Sequence, residues 1–69
     1  MNGKHLNVEY ETLARWRNGW HLIKLTDGRH YLKRAYRGQY PVNAQKTGFA
    51  QWRITNPETG ERINPERLR

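Results

Sequence analysis

A mainly β fold, a small antiparallel sheet or SH3-like barrel of about five short strands, is what this sequence predicts. Two dipeptides, Asn18-Gly19 and Asp27-Gly28, separate three short segments in the first half, and both are pairs that tolerate positive φ in tight hairpin turns. From Phe49 to Thr55 the chain alternates cleanly, with Ala50, Trp52 and Ile54 to one side and Gln51, Arg53 and Thr55 to the other, as a half-buried strand does.

The first three strands form a meander. With two-residue type I′ loops, Arg17 faces Trp20 across the first turn and Lys24 faces Tyr31 across the second. One face then carries Val8, Tyr10, Thr12, Ala14 and Trp16, followed by His21, Ile23 and Leu25 and by His30, Leu32, Arg34 and Tyr36, and is mostly core material. His21 and Arg34 are its misfits. The other face carries Glu9, Glu11, Leu13, Arg15 and Arg17, then Trp20, Leu22 and Lys24, then Arg29, Tyr31, Lys33 and Ala35. The stretch 38–48, with a proline, two glycines and mixed polarity, reads as a long loop. Asn56 to Gly60 is a turn, after which Glu61-Arg62-Ile63 returns with Ile63 near Ile54. The tail from Asn64 is loose or a last helical turn.

A second reading makes Asn7 a helix cap and 8–17 a helix, with Glu9 and Glu11 near its N-terminal end, Arg15 and Arg17 near its C-terminal end, and Glu11 four residues before Arg15. On that reading, Glu11-Thr12-Leu13-Ala14-Arg15-Trp16 followed by Asp27-Gly28-Arg29 and Tyr31-Leu32 resembles the helix-then-wing portion of phage excisionases and their winged-helix relatives. The resemblance implies an α+β fold and DNA as partner, with a recognition helix at 8–17 and a hairpin wing at 20–36.

Size and composition narrow the function classes. Sixty-nine residues make a single small domain, 1–69, whose core stabilises it by only about 3–5 kcal/mol. There is no cysteine, which removes disulfides and thiolate metal sites and argues against the secreted mini-protein class. No apolar run is long enough for a signal peptide or a membrane span, so the expectation is a cytoplasmic monomer or small homo-oligomer with no membrane partner. His5, His21 and His30 are scattered relative to the carboxylates, so neither a metal nor a cofactor is expected. His30 could act as a general base beside Arg29, Lys33 or Arg34. No second acid or base stands at a convincing spacing, however, and the chain also lacks serine, so it reads as non-enzymatic.

Charge carries the positive signal. The chain has 13 Lys and Arg against 6 Asp and Glu, a formal net charge of +7. Between Arg15 and Arg37 seven of those cations are interleaved with Trp16, Trp20, Tyr31 and Tyr36 around one acid, Asp27. Cations among flat rings suit a polyanion whose phosphates need charge and whose bases can stack. The expected site is Arg15, Arg17, Trp20, Lys24, Arg29, Tyr31 and Lys33, with Arg53 beside it. Trp20 and Tyr31 are either a stacking platform or a second core layer, whereas alternation sends Trp16, Trp52 and Tyr36 to the core. The expected function is a non-enzymatic module that binds DNA or RNA through the 15–37 face. The alternative is a phage-like inhibitor or adaptor docked on an acidic groove of a larger protein, since Arg, Trp and Tyr also dominate protein interfaces.

Overall fold

A computed structural model of the chain describes residues 9–68. Five antiparallel strands form one curled half-barrel sheet in sequential order: β1 (Tyr10–Arg15), β2 (His21–Leu25), β3 (His30–Arg34), β4 (Gly38–Gly48) and β5 (Gln51–Thr55). A short 3-10 helix, Pro65–Arg67, follows. The β architecture read from the sequence is therefore present. Among the described residues the helix expected over 8–17 is not formed: Tyr10–Arg15 is a strand, and the excisionase-like arrangement goes with the helix. A ten-residue helix is marginal in isolation, whereas pairing with β2 satisfies the backbone and turns Leu13, Ala14 and Trp16 toward the core. Val8 lies outside the described residues.

Both hairpin turns are where the Asn-Gly and Asp-Gly pairs put them, but each loop is one residue longer than a type I′ turn. Trp16 N–H donates to Trp20 O (2.9 Å) and Gly19 N–H to Trp16 O (3.0 Å). The second turn repeats this pattern with Leu25, Gly28 and Arg29. Only the glycines have positive φ, +99° at Gly19 and +95° at Gly28, which defines a three-residue loop with a G1 bulge. Each extra residue slips the register by one and exchanges faces. Ala14 is therefore opposite Leu22, Leu22 opposite Leu32, and Leu32 opposite Tyr40, a row on the inner face. A bulge between Thr12 and Ala14 adds Leu13 to the same side.

The core is Trp20, Leu22, Leu32, Val42 and Ile54, with Trp16, Trp52, Ile63 and Leu68 half-buried against it. Leu22 and Leu32 are fully buried, each worth about 1.5–3 kcal/mol relative to exposure. Ile23 is buried on the outer face instead, with Thr12 and Tyr31 as its cross-strand neighbours.

The stretch 38–48 is not a loop but the longest strand. Residues 38–42 pair with β3 and residues 43–48 with β5, so β4 changes partner midway. Its inward side chains, Tyr40, Val42 and Ala44, alternate as a strand requires. Pro41 falls in the half that pairs on one edge only, where a missing N–H is tolerated.

The rest of the β5 neighbourhood follows the alternation. Ile54 is buried, Trp52 half-buried, and Ile63 N–H donates to Ile54 O (2.8 Å). Asn56 Oδ1 accepts from the N–H groups of Glu58 and Thr59 and closes the turn. Asn18 ties the β1–β2 turn to the C-terminal segment: its Nδ2 donates to Pro65 O (2.6 Å) and Leu68 O (3.1 Å), while its Oδ1 accepts from Trp20 N–H.

Among the described residues two non-glycines have positive φ, Tyr36 (+65°) and Ala50 (+59°). Each pays roughly 1–2 kcal/mol for the left-handed conformation.

Candidate nucleic-acid interface

The corrected register divides the eight residues expected at the site. Arg15, His21, Lys33 and Gln39 are successive cross-strand neighbours on β1, β2, β3 and β4, a polar row across the outer face. Strand spacing of about 4.8 Å makes that row roughly 14 Å long. The next row is Thr12, Ile23, Tyr31 and Pro41, which places the half-buried Tyr31 ring behind Lys33. None of these eight positions carries a carboxylate. His21, a misfit on an apolar face, is at home here.

Trp20 is not on this surface. It is 3% exposed in the core, its ring edge-to-face with Tyr40, and its pairing with Arg17 does not occur because Trp16 takes that place. Lys24 is not paired with Tyr31 either: it lies between Glu11 on β1 and His30 on β3, on the opposite side of the sheet from Lys33. Glu9, Glu11 and Lys24 line one shallow cleft, so that cation sits among acids. Arg53 belongs to a separate groove of about 400 Å³ with His30, Asn43, Gln45 and Thr55.

Arg29 stays beside Tyr31, with its guanidinium carbon 5.8 Å from the ring centroid, but it is tied to Asp27 by a 2.7 Å ion pair. The Arg29 backbone N–H, followed by its guanidinium, holds the Asp27 carboxyl below its ordinary pKa, and Asp27 raises that of Arg29. The one acid between Arg15 and Arg37 thus neutralises one cation at the β2–β3 turn. Burial, and then the Lys24 charge, lower the pKa of His30.

The other end of the sheet brings together residues that the sequence reading separated. Arg17 is exposed in the β1–β2 turn, and Tyr36 and Arg37 are exposed in the β3–β4 turn. Tyr36 was expected in the core, yet it is fully exposed at 105%. A Cβ on Gly19 would stand 3.4 Å from Arg34 Nε and 3.7 Å from Arg34 Cγ, so the Arg34 side chain spans from β3 to the β1–β2 turn. Tyr36 and Arg37 were missed because a composition count does not separate a turn from a strand. The signal was the glycine at 38, which marks a hairpin immediately after Tyr36.

A groove of about 780 Å³ lies between β1, the start of β5 and the 3-10 helix, lined by Leu13, Trp16, Trp52, Ile63, Arg15 and Arg62 among others. Lys46 Nζ stands 6.0 Å from the Trp52 ring centroid. Among the described residues no three potential ligands cluster for a metal ion, and no helix is long and apolar enough to cross a membrane. Comparison of the chain with family models, with curated proteins and with solved structures finds no match in any of the three.

Proposed function

We propose that the protein is a small non-enzymatic nucleic-acid-binding module that engages the phosphate backbone with its outer sheet face. The observation that carries this reading is the row Arg15, His21, Lys33 and Gln39, four cross-strand neighbours with no carboxylate in their row or the next. Arg17 and Arg37 extend its charge at the adjoining end of the sheet. Affinity is mainly electrostatic. If about four phosphates are neutralised, log K falls with log salt at a slope near −3 to −4.

The test is a salt-titrated binding assay against single-stranded and duplex DNA and RNA. Arg15→Glu combined with Lys33→Glu abolishes binding and flattens the salt response. Lys24→Glu, on the other face and already beside Glu11, leaves binding near wild type. Loss in Lys24→Glu as severe as in the double variant would sink the outer-face reading.

The second reading, a phage-like inhibitor or adaptor docked on a larger acidic protein, is supported by the groove that exposes parts of Trp16 and Trp52 beside Arg15 and Arg62. It takes precedence if the wild type binds no nucleic acid at moderate salt while Trp52→Ala abolishes a stoichiometric protein complex.

A further inference from the structure

We propose that the β3–β4 turn is a base-stacking tip, in which the Tyr36 ring takes an unpaired base of a single-stranded nucleic acid while Arg37 and Arg17 hold the adjoining phosphates. The proposal rests on the nucleic-acid reading above and adds to it the kind of strand.

Tyr36 does nothing visible for the fold. Its side chain is wholly in solvent and buries no apolar surface. Its backbone is also in the wrong conformation for its type. Arg37 N–H donates to Arg34 O (3.1 Å), which makes Tyr36 the third residue of a four-residue turn, and its φ is +65°. That position normally takes glycine. The other left-handed residues of the three hairpins, Gly19, Gly28 and Gly38 in this same turn, are all glycines. Here a large ring is held at the apex instead, at a cost in stability and with no packing in return. Such an outlier points to a role outside the fold.

The surroundings identify the ligand chemistry. Arg34 reaches across to Gly19, which sets the β1–β2 turn beside the β3–β4 turn. Arg17, Arg34 and Arg37 therefore share that end of the sheet with the ring. Neither turn, 16–20 or 34–38, contains a carboxylate. The row from Arg15 to Gln39 begins next to it on the outer face and provides a path for the strand to continue.

Phe49, at the opposite end of β4, is a useful contrast. It is 96% exposed and precedes Ala50, also at positive φ, but its nearest cation along the chain is Lys46, which is directed at Trp52. An isolated exposed ring flanked by guanidinium groups suits a base whose face is free, and in a duplex those faces are covered by neighbouring pairs.

The experiment compares oligothymidylate with a duplex of equal length, by fluorescence anisotropy at several salt concentrations, for wild type, Tyr36→Gly, Tyr36→Phe and Tyr36→Leu. Tyr36→Gly relieves the backbone conformation, so its unfolding midpoint rises and any loss of binding is not a loss of fold. The expected result is single-strand affinity lowered roughly 5- to 100-fold by Gly and Leu and retained by Phe. The salt slope is unchanged because no charge is removed, and duplex binding is unmoved. Wild-type affinity of Tyr36→Gly for oligothymidylate, or equal losses on both ligands, overturns the tip. If Arg15→Glu with Lys33→Glu still abolishes binding in that case, the outer-face reading survives without it. A wild type that binds neither ligand overturns both.

Discussion

The Trp20 and Tyr40 rings meet edge to face, centroids 5.4 Å apart and planes at 65°. Burial raises the pKa of the Tyr40 hydroxyl, and the Trp20 ring is enclosed in the core. Trp20→Ala is expected to cost about 3–5 kcal/mol, which matches the whole stability of a domain this small. Trp20→Phe keeps a ring and deletes Nε1, a buried donor with no acceptor among the described residues, so it is expected to stay folded. Urea unfolding followed by circular dichroism checks both. A cooperatively folded Trp20→Ala would place the core elsewhere.

The two G1-bulge glycines differ in their surroundings. Gly19→Ala and Gly28→Ala are each expected to lose about 1–2 kcal/mol from the left-handed backbone. A leucine separates them, because at 19 it meets Arg34 and at 28 it meets open space. Thermal melts should therefore rank Gly19→Leu below Gly28→Leu. Equal melting points would mean that Arg34 does not lie across the turn.

Asn18 holds the 3-10 helix by two donated hydrogen bonds. Asn18→Ala is expected to lower stability by about 1–3 kcal/mol and to free Leu68 from the core. Hydrogen exchange reads this directly: Leu68 N–H, bonded to Pro65 O, should lose protection before the strands do. Unchanged exchange there would show the helix is held by packing alone.

His30 supplies a pH dependence. Its pKa is lower in the folded state than the ordinary value of about 6.5, so below that pH the unfolded chain binds the extra proton. Stability is full above about pH 6.5 and falls as pH drops through it toward the folded value. Lys24, opposite His30, contributes to the shift. His30→Gln is expected to flatten the unfolding free energy between pH 7 and pH 5, and an unaltered slope would assign the dependence to another group.

Much of the architecture was legible because punctuation and alternation are local. The Asn-Gly and Asp-Gly pairs located both hairpins, and Trp52 and Ile54 alternate inward in β5 as read. Loop length was not legible, since Asn18-Gly19 serves a two-residue and a three-residue turn equally well. That single residue moved Trp20 and Leu22 into the core and His21 onto the outer face. β4 was hidden because Pro41 and the flanking glycines are breakers in a central strand but not in one that changes partner. Among the residues expected at the site, Arg15 and Lys33 lie in one row on either side of His21, whereas Lys24 stays beside Glu11 on the other face, because the slip and the β1 bulge separate it from them.

The Asn18 clasp also orders events in time. Every strand pairs with the strand next in sequence, so each hairpin can form on its own microsecond timescale without waiting for distant chain. The bond from Asn18 to Pro65 spans 47 residues and has to wait for them. The sheet can therefore assemble turn by turn in any order, and the closing of the C-terminal segment onto the β1–β2 turn is expected to follow.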